Sequence, residues 1–333
     1  MFTEAFEAIL RGYCTPAQVR AIESGGTHFP LWNAIVDAGF LELMASEEVG
    51  GANLDLASVM PIFCALGAHA VPLPVGQAIV LRTLLPQGEL PPLGIPTFAP
   101  ALVHLPDGGL LAPLVPFGAL ADQVLGEMDG ALWVLDTNVA RRDLPGLHRD
   151  ATCNLHWNAA ELGKAGRRLY DTAPAGILHA WSAALHAALL AGALRRCFEL
   201  TLQYGNDRVQ FGKSIGKFQT VQHQLAVMAE HVSVARMAVA GAFTPGARCP
   251  SLLPAAVAKA AASEAVTVVA AIAHALHGAI GVTEEYDLQL FTRRLHVWRM
   301  AHGSETHWHR VVGQALLDGT DHCVDFVRAL QSA

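Results

Sequence analysis

Apolar residues recur at three- and four-residue spacing over most of this chain, with one interval where the period changes. Trp32–Phe40 carries apolar positions at helical spacing and a glycine near its end, which predicts a helix. Ser46-Glu-Glu-Val-Gly-Gly51 breaks the pattern, and Leu54–Ala70 resumes it. Pro72, Pro74 and Pro86 punctuate the next stretch, and Pro91-Pro92 closes the region. Beyond residue 93 the helical period fades. Val124–Met128 and Ala131–Asp136 flank the turn-forming pair Asp129-Gly130, a hairpin signal, and Asp107-Gly108-Gly109 is a second candidate turn. From about Tyr170 the helical period returns in Ile177–Tyr204, Phe218–Ala242 and Pro254–His277, then in two shorter stretches at 284–300 and 304–318. The fold class expected is therefore mainly α with a small central β domain. Residues 1–92 form an N-terminal helical domain, 93–165 a small β domain, and 166–333 a C-terminal helical bundle. No repeat of 20–50 residues and no low-complexity tract interrupts this plan.

Composition narrows the classes. A length of 333 residues suffices for two or three domains with a large core. Hydrophobic residues make up 52% and charged residues 15%, so much of the surface is expected to be covered by other subunits. A net charge of −7 argues against a nucleic-acid partner. The six cysteines are scattered without a CxxC pair, which fits reduced thiols in the cytoplasm better than a disulfide framework or a zinc site. The first residues lack the basic and apolar regions of a signal peptide. Gly176–Leu194 has no Asp, Glu, Lys or Arg and is almost long enough to cross a bilayer. It contains His179, Ser182 and His186 and runs on into Arg195-Arg196, so a buried core helix is the better reading and no membrane is expected.

Two motifs stand out among the helical stretches. The first is Arg208-Val-Gln-Phe-Gly-Lys-Ser-Ile-Gly-Lys-Phe-Gln219, between two long apolar patterns. Alone, it allows a surface pair of Arg208 with Asp207 and an ordinary core role for Phe211. The second is His277-Gly-Ala-Ile-Gly281, with Thr283-Glu-Glu-Tyr-Asp287 just beyond it. Alone, Gly278 reads as a helix C-cap. Together and in this order they resemble the C-terminal half of the acyl-CoA dehydrogenase family, whose signatures are R-x-Q-F-G, H-G-G-x-G and T-x-E-Y-P. Near the N-terminus, Trp32…Ala38-Gly39-Phe40 with Ser46–Gly51 is similar to the family's opening pattern. The middle of the chain has nothing like its TEP-x-x-GSD segment.

The resemblance implies FAD as cofactor and an acyl-CoA thioester as substrate. It implies that Arg208 pairs with the FAD pyrophosphate of a neighbouring subunit, as a guanidinium fork matches phosphate oxygens. Gln210, Phe211, Ile215, Phe218 and Gln219 would line the same cofactor. The backbone at Gly278, Ala279 and Gly281 would approach its adenosine part, glycine permitting close approach. Ala279 stands where the family has a second glycine, and Ala275 where it has Gln.

The family's catalytic base is a Glu in a Y-E-G-T segment, with a pKa raised by burial so that it can hold the abstracted proton. The same register here gives Ala301-His302-Gly303-Ser304, with His302 at the Glu position and Ser304 beside the cofactor. Relatives that keep the base on the first long helix of the C-terminal domain correspond to Ala183–Leu189, which has no carboxylate. Three expectations compete. In the first, the chain is the non-catalytic, β-type subunit of a heteromeric α2β2 dehydrogenase, like those of steroid side-chain degradation, beside a homologous base-bearing subunit. In the second, His302 is itself the base of a self-sufficient homo-oligomer, since an imidazole can take a proton near neutral pH. In the third, Glu305 takes the role after a local register change. A flavin-free scaffolding subunit is the rival outside enzymology. An electron-transfer flavoprotein is the implied acceptor. His296, His302, His307 and His309 include no i,i+4 pair, and HExxH is absent, so no metal is expected.

Overall fold

The computed structural model describes residues 2–85, 94–144, 151–170, 176–320 and 322–332. Five helices open the chain: α1 (Phe2–Tyr13), α2 (Pro16–Glu23), α3 (Phe29–Asp37), α4 (Leu56–Ala68) and α5 (Val75–Leu84). The start of α2 is fixed by a capping box, in which Thr15 and Gln18 satisfy each other's backbone N–H groups. Strands β1 (Pro96–Ala99), β2 (Val103–His104), β3 (Leu110–Val115), β4 (Gln123–Met128), β5 (Ala131–Asp136), β6 (Arg141–Asp143) and β7 (Cys153–Trp157) come next, then α6 (Ala159–Ala165) and β8 (Gly166–Tyr170). The rest is helical: α7 (Ile177–Asp207), a short hairpin β9 (Val209–Gln210) and β10 (Lys213–Ser214), α8 (Gln219–Ala242), α9 (Leu252–His277), α10 (Leu288–Met300), α11 (Glu305–Asp318) and α12 (Cys323–Ser332).

The chain packs as two units. One comprises Met1–Val59 with Pro72–Ser182, the other Met60–Val71 with Ala183–Ala333. In the first, the strands form two four-stranded sheets, ordered β1-β4-β5-β8 and β2-β3-β7-β6. The hairpin expected at Asp129-Gly130 joins β4 to β5, with Met128 opposite Ala131 and both turn residues at positive φ. That is the twist a two-residue hairpin loop needs. Trp157, Leu155, Val124, Leu135 and Leu110 are among the residues that fill the core against these strands.

The division by packing runs differently from the sequence spans 1–92, 93–165 and 166–333. β8 pairs with β5, so strand structure continues past residue 165. Most of α4 belongs with the C-terminal helices, because two glycines let it approach α7 closely. A Cβ on Gly67 would lie 2.0 Å from the Leu189 carbonyl oxygen, and one on Gly192 would lie 1.9 Å from that of Cys64. Pro86, Pro91, Pro92 and the expected boundary at 92–93 lie outside the described residues. The most apolar stretch of α7 is 89% buried, which agrees with a core helix. None of the six cysteines is in a disulfide.

Candidate FAD-contacting hairpin and base-position turn

The motif after α7 folds into a tight hairpin. Gln210 stands opposite Lys213 and Val209 opposite Ser214, leaving Phe211 and Gly212 as a two-residue loop with φ of 52° and 81°. Ile215 N–H donates to the Arg208 carbonyl and closes the base of the hairpin at 2.8 Å. Phe218, at the entry to α8, meets Phe211 edge to face at 6.3 Å and carries the Lys213 ammonium 4.3 Å above its ring. Arg208, Gln210, Phe211 and Gln219 are exposed, Ile215 and Phe218 half-buried. Phe211 is 92% exposed. Arg208 makes no ion pair among the described residues. Asp207 instead accepts a hydrogen bond from Gln203 at 2.8 Å, so the surface pair allowed by the sequence does not form.

The second motif lies at the end of α9. Gly278 terminates that helix at φ 66° and ψ −146°, a conformation that glycine alone adopts freely, and no atom lies within 4 Å of where its Cβ would be. Gly278 is thus the C-cap that its position in the sequence predicts. Ala279 is exposed and Gly281 buried. Tyr204, one turn before Arg208, brings the two motifs together. Its ring stacks on His277 at 4.3 Å and its hydroxyl donates to the His277 carbonyl at 3.4 Å. Tyr286, from the third motif, packs 5.2 Å from the same imidazole. Burial holds His277 below the usual imidazole pKa, and Nδ1 donates to the Ala273 carbonyl at 2.8 Å. Its Nε2 is buried with no hydrogen-bond partner among the described residues.

His302 and Ser304 occupy a different place, the turn between α10 and α11. His302 adopts left-handed φ of 55°, and Gly303 after it has φ of 109°. A histidine tolerates this region better than a branched residue, at a cost of about 1 kcal/mol. The turn is held from several sides. The Lys259 ammonium, fully buried on α9, donates to the Arg299 carbonyl at 2.8 Å, the Gly303 carbonyl at 3.1 Å and Ser263 Oγ at 3.1 Å. Trp308 Nε1 donates to the same Gly303 carbonyl at 3.1 Å. Arg299 and Glu305 form a bidentate ion pair across the turn, with Nε to Oε2 at 2.9 Å. Ser304 is half-buried at the N-cap of α11, where its side chain makes no capping hydrogen bond.

Two findings bear on the base. The His302 ring lies 5.0 Å from that of His186, nearly perpendicular to it. His186 is fully buried and sits on α7 within Ala183–Leu189, so each of the two regions that correspond to the family's base holds an imidazole, and these meet. Glu305 is unsuited to the role. Its hydrogen bonds from Arg299 hold its carboxyl below the ordinary carboxylate range, whereas a base for a carbon acid needs the opposite shift. Sequence reasoning missed His186 because it considered only acids on that helix. It missed Lys259 although a lone charge in the run Leu252–Ser263 is a signal of a specific buried role. Burial pushes Lys259 down to about 7.

The C-terminal residues 179–317 match the model of the acyl-CoA dehydrogenase C-terminal domain. Over 89% of its length the chain is 33% identical to the acyl-CoA dehydrogenase IpdE2 of Mycobacterium tuberculosis, covering 90% of that protein. This chain belongs to the acyl-CoA dehydrogenase family. As such it is an FAD-dependent oxidoreductase acting on acyl-CoA. Its fold superposes on the crystal structure of the ChsE4–ChsE5 complex from the same bacterium with a TM-score of 0.83 at 23% identity, covering 96% of this chain and 97% of that one. It also superposes on butyryl-CoA dehydrogenase from Megasphaera elsdenii, with a TM-score of 0.73 at 16% identity over 95% of this chain and 98% of that one. The hairpin and glycine turn suit the family's cofactor. An exposed guanidinium with no ion pair among the described residues can take a diphosphate bidentately, and no atom lies within 4 Å of where a Cβ on Gly278 would be.

Proposed function

We propose that this chain serves α,β-dehydrogenation of an acyl-CoA as the subunit that completes an FAD site for a homologous, base-bearing chain. One pairing of facts carries this reading. Arg208 is exposed with no ion pair among the described residues, while the candidate base regions hold two imidazoles and a carboxylate already engaged by Arg299. FAD, when bound, supplies the acceptor for the hydride that leaves the substrate's β carbon. Arg208 would neutralise its diphosphate, Gln210, Phe211, Ile215, Phe218 and Gln219 would flank it, and Gly278, Ala279 and Gly281 would present backbone to its adenosine end. Ser304 would sit near the cofactor at the start of α11. The fold likeness to a heteromeric complex and to a steroid acyl-CoA dehydrogenase supports an α2β2 arrangement and a bulky ring-bearing acyl group. An electron-transfer flavoprotein would take the electrons onward.

A second reading is favoured by the contact of His186 with His302. There His302 removes the α proton, and the chain works as a homo-oligomer. Purification alone and with a co-expressed neighbouring homologue separates the two. The first reading expects a colourless or flavin-poor single chain and a yellow complex that acyl-CoA bleaches anaerobically. A single chain that is yellow and bleaches by itself sinks the helper role in favour of His302. A complex without flavin leaves only a scaffolding role.

A further inference from the structure

We propose that Lys259 is a positioning residue of the acyl-CoA site: its side chain holds the turn Met300–Ser304 so that the His302 imidazole stands against His186. The proposal deepens the functional reading above and rests on it for the statement that this turn faces the acyl group.

The geometry carries the assignment. An ammonium has three protons to donate, and here each has an acceptor. Two of the three are backbone carbonyls that bracket the turn, Arg299 at the end of α10 and Gly303 just before α11. A last-turn carbonyl of a helix has no partner within its own helix, so the lysine supplies what α10 lacks. Between these two anchors lies a backbone excursion that ordinary residues avoid, with His302 and Gly303 both at positive φ. Such excursions persist where their surroundings over-determine them, and they gather at functional sites. A buried charge with no carboxylate in direct contact is an expensive way to close a turn. Trp308 already satisfies the Gly303 carbonyl, so tying the loop alone does not require the lysine. What it adds is a fixed distance between α9 and the peptide that carries His302, and with it the orientation of that imidazole. Its electrostatic surroundings are Arg299 and Glu305, which are bound to each other across the same turn.

The test uses protein labelled at histidine Cε1, purified with its flavin and with its neighbouring chain if it needs one. His302→Gln identifies the His302 resonance. In Lys259→Met the His302 line should move and its titration midpoint should shift, while His28 and His104 keep theirs. Amide exchange should rise about tenfold over 301–308 and not elsewhere, as expected when hydrogen bonds to one local segment are lost. Lys259→Gln, which keeps two donors, should show smaller changes in the same direction, and it carries the test if the methionine variant does not fold. An unmoved His302 line and midpoint in the variant that folds overturns the proposal, as does a change spread over all the histidines. Acyl-CoA binding, read from the flavin spectrum, separates the two layers. If His302→Gln leaves it unchanged while Lys259→Met still moves the His302 line, the assignment of this turn to the acyl-CoA site falls and the hold of Lys259 on the turn stands.

Discussion

The hairpin at Phe211-Gly212 and the turn at His302-Gly303 use one backbone device in opposite settings. Each places a large non-glycine residue in the left-handed region, with a glycine at positive φ directly after it. At His302 the strain is answered from within the chain by Lys259, Trp308 and the Arg299–Glu305 pair. At Phe211 it is answered by two short strands and one ring contact, and the phenylalanine remains almost wholly exposed. Strain and exposed apolar surface both cost free energy, and the hairpin keeps both. The turn is finished by its own sequence. Under the proposed function, the hairpin is half of a site.

That contrast can be broken at its strongest point by Gly303→Ala. A Cβ there would lie 2.6 Å from His307 Cδ2, at a φ of 109° that alanine resists, so denaturant unfolding should show a loss of about 3 kcal/mol. A loss below about 1 kcal/mol would mean that the turn is not tightly held. Next comes Glu305→Gln, expected to cost about 1–2 kcal/mol at neutral pH by weakening a charge-assisted pair. Its pH dependence has a definite sign. Arg299 depresses the Glu305 carboxyl from its ordinary value of 4.5, so the stabilisation is complete above that value and is lost as pH falls through the lowered one. The gap between wild type and variant should therefore close in acid, and a gap that persisted there would contradict the ion pair as its source.

On the hairpin the same chemistry should matter less. Gly212→Ala meets no atom within 4 Å, so only its φ of 81° opposes the change, and about 1 kcal/mol is expected. Arg208→Ala and Phe211→Ala should leave the unfolding of the isolated chain within about 0.5 kcal/mol of wild type, because both side chains are exposed. A large loss from either would place their partners inside this chain.

Most of the helical framework was legible because long apolar periodicity leaves few alternatives. The helices α7, α8 and α9 lie within a few residues of their expected bounds, and the Asp129-Gly130 hairpin is a product of turn chemistry alone. The packing of α4 with the C-terminal helices was not legible, since it depends on which glycines, Gly67 and Gly192, face the opposite helix across a long stretch of sequence. The two motifs that resemble the family's signatures were readable as a pattern, and the structure adds that Tyr204 joins them. His186 and Lys259 escaped because their roles arise from long-range contacts, with His302 in one case and with the carbonyls of residues 299 and 303 in the other.

The flavin content of the co-purified complex, measured with wild-type chain and with Arg208→Ala, tests the role of this chain most directly. Wild type should carry stoichiometric FAD, and the variant should assemble with its neighbour yet lose most of it. Full retention of FAD by an assembled Arg208→Ala complex would contradict the claim that this guanidinium completes the cofactor site.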